Sequence, residues 1–144
     1  MMSGYTEENE RKPIMSKRER LRPTVAELAI LRVLWGQGPS TVRQVQGALE
    51  QAQPTGYTTA LKQLQIMATK GLVDRDESQR SHVYRARLNE DVTQRQLVDD
   101  LMERAFGGSA ERLVMQALAS KRATPEELGA IRRLIDELEE GGGS

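Results

Sequence analysis

The run Tyr57-Thr58-Thr59-Ala60-Leu61-Lys62-Gln63-Leu64-Gln65-Ile66-Met67-Ala68-Thr69-Lys70, closed by Gly71, most constrains how this chain can fold. On a helical wheel Tyr57, Ala60, Leu61, Leu64, Met67 and Ala68 fall on one side, while Thr59, Lys62, Gln63, Ile66 and Lys70 share the other. That spacing predicts an amphipathic helix. Gly71 suits the left-handed conformation that closes one. Two strands are expected directly after it, over residues 72–75 and 81–86, around the polar turn Glu77-Ser78-Gln79-Arg80. A helix that presents Thr59, Lys62 and Gln63 outward, followed at once by a basic hairpin, is the layout of a winged-helix DNA reader.

The 144 residues leave room for one full domain or two small ones. Aromatic residues make up 3%, so a core must rest on Leu, Val, Ile and Ala. The chain has no cysteine. That excludes disulfides, thiolate metal sites and cysteine nucleophiles, and it fits a cytoplasmic protein in a reducing compartment. No apolar run approaches the ~20 residues that span a bilayer, and the polar N-terminus lacks the apolar stretch of a secretion signal. The net charge of zero conceals an asymmetry. Residues 11–89 hold 14 Lys and Arg against 6 Asp and Glu, whereas residues 90–144 hold 7 against 12. A basic front and an acidic back point to a polyanion-binding part followed by a part with another task.

Residues 1–21 carry many charges and almost no apolar periodicity, and they read as a flexible arm. Thr24-Val25-Ala26-Glu27 and Thr41-Val42-Arg43-Gln44 both fit capping boxes. The first opens a helix with Val25, Leu28, Leu31 and Trp35 at helical spacing, and the second a helix with Val42, Val45 and Leu49 inward. From Asn89 the chain reads as helical again. Leu97, Leu101 and Ala105 mark one helix, which Gly107-Gly108 breaks. Ser109 caps the next, with Leu113, Val114, Ala117 and Leu118. Thr124-Pro125-Glu126-Glu127 opens the last, whose apolar stripe is Leu128, Ile131, Leu134, Ile135 and Leu138. The expected fold is therefore mainly α with a small β-hairpin. A winged helix-turn-helix domain over 22–88 is followed by a three-helix dimerisation domain over 89–140 and a flexible tail over 141–144. Three short amphipathic helices make a weak core alone, so their stripes are expected to pair with a second copy of the chain.

The major groove of B-DNA admits one α-helix, and side chains near its N-terminus reach the base edges. Here those are Thr58, Thr59, Lys62 and Gln63. Lysine donates to guanine, glutamine pairs with adenine, and the threonine methyl meets thymine. Thr41 and the first amides of its helix suit a backbone phosphate, as does Arg80 at the hairpin tip. Ile66 fits either a thymine methyl or a semi-buried core position. A solvated helix face shows the same spacing; the hairpin and the charge split together favour double-stranded DNA. His82, the only histidine, makes neither a metal cluster nor a triad and reads as structural, and Trp35 reads as core. Asp99-Asp100 and Glu139-Glu140 stand at no catalytic spacing, and there is no Gly-rich phosphate loop. No catalytic residue, cofactor or metal site is expected. The alternative is a winged-helix module that binds protein rather than DNA.

Four stretches carry a family likeness: Ala26-Glu27-Leu28-Ala29-Ile30-Leu31-Arg32-Val33-Leu34-Trp35; Tyr57-Thr58-Thr59 with Lys70-Gly71-Leu72-Val73; Val83-Tyr84-Arg85-Ala86; and Phe106-Gly107-Gly108-Ser109. In this order and spacing the chain resembles the penicillinase repressor family of bacterial regulators, of the BlaI, MecI and CopY type, from about Arg22 to Leu138. The resemblance implies a homodimer that represses genes such as those for antibiotic resistance or copper handling from a palindromic operator. It also implies a membrane-bound sensor protease that triggers cleavage just before a phenylalanine, which maps to Ala105-Phe106. Three features depart from the family pattern. Ala105 stands where asparagine is usual, Ile66 stands where a basic residue is common, and the C-terminal cysteines of the copper-sensing branch are missing.

Overall fold

The computed structural model describes residues 22–142. The arm expected over residues 1–21 lies outside the described residues, as do Gly143 and Ser144. Helix α1 (Val25–Gln37) starts as the sequence predicts. The Thr24 hydroxyl accepts from the Glu27 N–H at 3.1 Å, and Glu27 Oε1 accepts from the Thr24 N–H at 2.9 Å. The face it buries differs from the expected one. Glu27, Ile30, Leu31 and Leu34 point inward, while Val25 is 87% exposed. The helix is apolar nearly all round, so its own period is too weak to select a face. Trp35 is half-buried against the core and donates its indole N–H to the Leu88 carbonyl at 3.0 Å.

Thr41 serves two elements. It ends the short strand β1 (Ser40–Thr41) and caps α2 (Val42–Glu50) through a box with Gln44. Helix α2 buries Val42 and Val45; α3 (Tyr57–Lys70) buries Ala60, Leu64 and Met67. Helix α3 ends in a Schellman motif, in which the Gly71 N–H donates to Ala68 and the Leu72 N–H to Met67. Gly71 sits at φ 84°, a conformation that glycine adopts without a Cβ clash. The turn delivers the chain into β2 (Val73–Asp76), which pairs antiparallel with β3 (Val83–Ala86). Strand β1 was not expected, because two residues show no alternation. It pairs along the other edge of β3, with Ser40 opposite Tyr84, and gives a sheet of order β1-β3-β2. Leu72, Val73 and Tyr84 close one core with the buried faces of α1, α2 and α3. This is a winged-helix arrangement in a mainly helical chain.

The described chain divides into two compact units between Arg95 and Gln96, within α4 (Glu90–Ala105). In the second unit Ser109 caps α5 (Ala110–Ala119), and a capping box of Thr124 and Glu127 opens α6 (Pro125–Gly142). No side chain of α5 or α6 is buried. The sequence placed a flexible tail from Gly141, but α6 runs on through Gly142. The amides of a last turn still find carbonyls one turn back, which offsets the roughly 1 kcal/mol that each glycine costs in a helix. No described helix is long and apolar enough to cross a membrane.

Candidate nucleic-acid interface

The first half of α3 presents Thr58, Thr59 and Lys62 as exposed side chains, with Gln63 half-buried beside them. Gly56 precedes them as an N-cap with no side-chain hydrogen bond. Ile66 is 40% exposed, on the same helix one turn further on. Lys70 does not join this surface. Its ammonium lies 2.7 Å from the buried carboxylate of Glu27 and ties the end of α3 to the start of α1. The sequence alone placed it on the outward face, because an ion pair between residues so far apart has no local signature.

Thr41, Val42, Arg43, Tyr57, Arg80, Ser81 and His82 line a cleft of about 370 Å³. It joins the first turn of α2, the first residue of α3 and the tip of the β2–β3 hairpin. The pairing of β1 with β3 creates it, since Thr41 lies opposite Val83 and so beside His82. The Arg43 guanidinium carbon sits 5.6 Å from the centroid of the Tyr57 ring. Such a contact contributes roughly 0.5–1 kcal/mol at an exposed site. Tyr57 was expected on the inward face but is 45% exposed, because burial along α3 begins only at Ala60. His82 is exposed on the cleft rather than packed. Arg43 is not among the contacts expected from the sequence, although the sequence carries a signal for it. Helices α1, α4, α5 and α6 all carry an acid in their first turn, whereas α2 and α3 carry none.

Among the described residues no carboxylate lines this cleft. Two other surface clefts hold acids, Glu90 in one and Asp74 with Glu77 in the other. Among the described residues neither Arg43 nor Arg80 has an ion-pair partner. The hairpin uses its acids to brace itself. Arg75 pairs with Glu77, and Arg87 lies 2.6 Å from Asp74. The Ser78 N–H donates to Asp76 at 2.9 Å, and this bond, aided by the Ser78 hydroxyl, holds the Asp76 carboxyl below its ordinary pKa.

Ala105 is the last residue of α4, and half-buried Phe106 follows. The Phe106 and Gly108 amides both donate to the Met102 carbonyl, at 3.1 and 2.9 Å, and Ser109 donates back to Phe106. Gly107 and Gly108 take positive φ angles of 58° and 81°. The joint is thus a closed, hydrogen-bonded turn. Of the residues expected at a dimer contact, Leu101, Leu134, Ile135 and Leu138 are exposed, while Leu97, Leu113, Leu128 and Ile131 are half-buried. Among the described residues no group of three or more His, Cys, Asp or Glu is placed to hold a metal.

A profile of the penicillinase repressor family matches residues 23–137. Over 120 residues the chain is 32% identical to the transcriptional regulator BlaI of Mycobacterium tuberculosis, in two strains alike. That match covers 82% of this chain and 86% of each relative. Among solved structures, the complex structure of hsRosR-S4 matches with a TM-score of 0.49 and 21% identity, over 85% of this chain and 95% of that one.

Proposed function

We propose a function from one premise: this chain belongs to the penicillinase repressor family. Membership makes it a DNA-binding transcriptional repressor and not an enzyme. The repressor acts in the cytoplasm as a homodimer on a palindromic operator. Each head lays α3 in a major groove, with Thr58, Thr59, Lys62 and Gln63 at base edges and Ile66 against a thymine methyl or sugar. Thr41 and Arg80 hold backbone phosphates. The observation that carries this reading is the exposed N-terminal face of α3 beside a cleft that contains Arg80 and that no described carboxylate lines.

The exposed end of the α6 stripe, Leu134, Ile135 and Leu138, supports the dimer, since burying a leucine contributes roughly 1.5–3 kcal/mol. Release follows from an event at the joint between α4 and α5, through a sensor protease or a ligand that loosens it. A protease needs extended chain, so the last turn of α4 has to open at the bonds to Met102 before Ala105-Phe106 can be cut.

The test is retardation of duplexes carrying the inverted repeats beside its gene, with light scattering run in parallel. A dimer with six to ten phosphate contacts loses about 10³–10⁵ in affinity between 50 and 200 mM salt. Salt-independent binding, or a monomer at micromolar concentration, rejects the reading.

A further inference from the structure

We propose that Arg43 contacts a backbone phosphate of the bound DNA and that Tyr57 is the residue that positions it. The inference rests on the DNA-binding reading above and adds two residues that it does not use. Arg43 is exposed in the first turn of α2, with its guanidinium over the Tyr57 ring at 5.6 Å. A guanidinium resting on an aromatic face keeps its N–H groups free, and that planar fork matches two phosphate oxygens. The contact also narrows the choice of rotamers before DNA arrives, so less ordering remains to be done on binding.

Helix stability does not explain this arginine. The amino end of a helix is its positive end, where a cation is unfavourable and an acid favourable. Four of the described helices place acids there, and α2 places Arg43. Ion pairing does not explain it either, since among the described residues no carboxylate lines the cleft and none pairs with Arg43. Arg80 enters the same cleft from the hairpin. Two cations delivered from separate elements to one cleft that no described carboxylate lines repel each other, and an anion between them relieves that repulsion. In a DNA-binding protein, with the exposed start of α3 adjoining, that anion is the phosphodiester.

The experiment titrates full-length protein against a random-sequence duplex of about 30 base pairs over a range of salt, because a phosphate contact acts on any sequence. Arg43→Gln should weaken binding and lower the slope of log affinity against log salt by about one unit per head. Tyr57→Phe keeps the ring face and should bind as wild type does. Tyr57→Leu should weaken binding about two- to tenfold, yet cost nothing further once Arg43 is glutamine. That lack of additivity separates a positioning role from a merely structural one. An unchanged slope in Arg43→Gln, with Arg80→Gln lowering it, overturns the Arg43 assignment while DNA binding stands. Equal losses for Tyr57→Leu in both backgrounds, or a melting midpoint lowered alike in both, remove the positioning role. Wild-type protein that binds no duplex at low salt would reject the DNA-binding reading itself, before any variant is compared.

Discussion

Glu27 is 2% exposed, and both of its carboxylate oxygens are occupied. One accepts from the Thr24 N–H and the other faces the Lys70 ammonium. Removing Lys70 leaves that buried charge without its cation. Lys70→Ala should therefore destabilise the protein by about 1–3 kcal/mol in urea unfolding, and adding Glu27→Gln, which removes the charge and keeps an oxygen for the Thr24 N–H, should restore part of the loss. On the proposed DNA surface, Gln63→Ala should cost about 1–3 kcal/mol of discrimination between operator and random duplex. Thr41→Ala should instead weaken both alike. A Gln63→Ala variant with the wild-type ratio would remove that residue from readout. Asp76 brings a pH dependence to the hairpin turn. Its folded pKa lies below 3.8, so its bond to Ser78 is fully present above that value and is lost as pH falls through the lowered one. The Ser78 amide shift should titrate with a midpoint below 3.8, and a midpoint at or above it would mean the bond does not persist in solution.

Elements meet in this fold through short, demanding turns. Gly71 joins α3 to β2 at φ 84°, and a Cβ there would also stand 3.3 Å from an Arg87 nitrogen. Gly71→Ala should cost about 1–2 kcal/mol in thermal unfolding, because an L-residue is strained in that conformation. A neutral effect would show that the turn relaxes easily and does not hold the hairpin against α3. Strand β1 does comparable work with two residues. It fixes the start of α2 against β3, and so brings Thr41 and Arg43 beside the hairpin tip.

At the scale of the whole molecule, the two compact units differ in how much they bury. The first closes a core of its own, whereas α5 and α6 of the second bury no side chain. A second copy that covers the α6 stripe is the simplest remedy. Ile131→Asp combined with Leu134→Asp should turn a dimer into a monomer in light scattering. Linking two heads raises affinity through effective concentration alone, without any new contact. A chain ending at Ala105 should accordingly bind operator about a hundredfold or more weakly than the full chain. Equal affinity for the two would mean that the C-terminal helices do not control DNA binding, and release at the joint would have to be dropped.

The sequence by itself determined whatever rests on neighbours in the chain. The boxes at Thr24, Thr41 and Thr124, the Ser109 cap, the Gly71 stop and both long strands of the hairpin were legible, because each depends on bonds or alternation within a few residues. The inward face of α3 was legible from Ala60 onward for the same reason, since apart from Ile66 its polar and apolar residues separate around the helix. The inward face of α1 was not, since an all-round apolar helix leaves the choice to its neighbours. Tertiary structure alone decided the Glu27–Lys70 pair, the pairing of β1 with β3, and the cleft that gathers Arg43, Tyr57 and Arg80. Each of these joins residues distant in sequence. Local rules fix which elements form, and only the burial of their shared core fixes which side chains come to face one another.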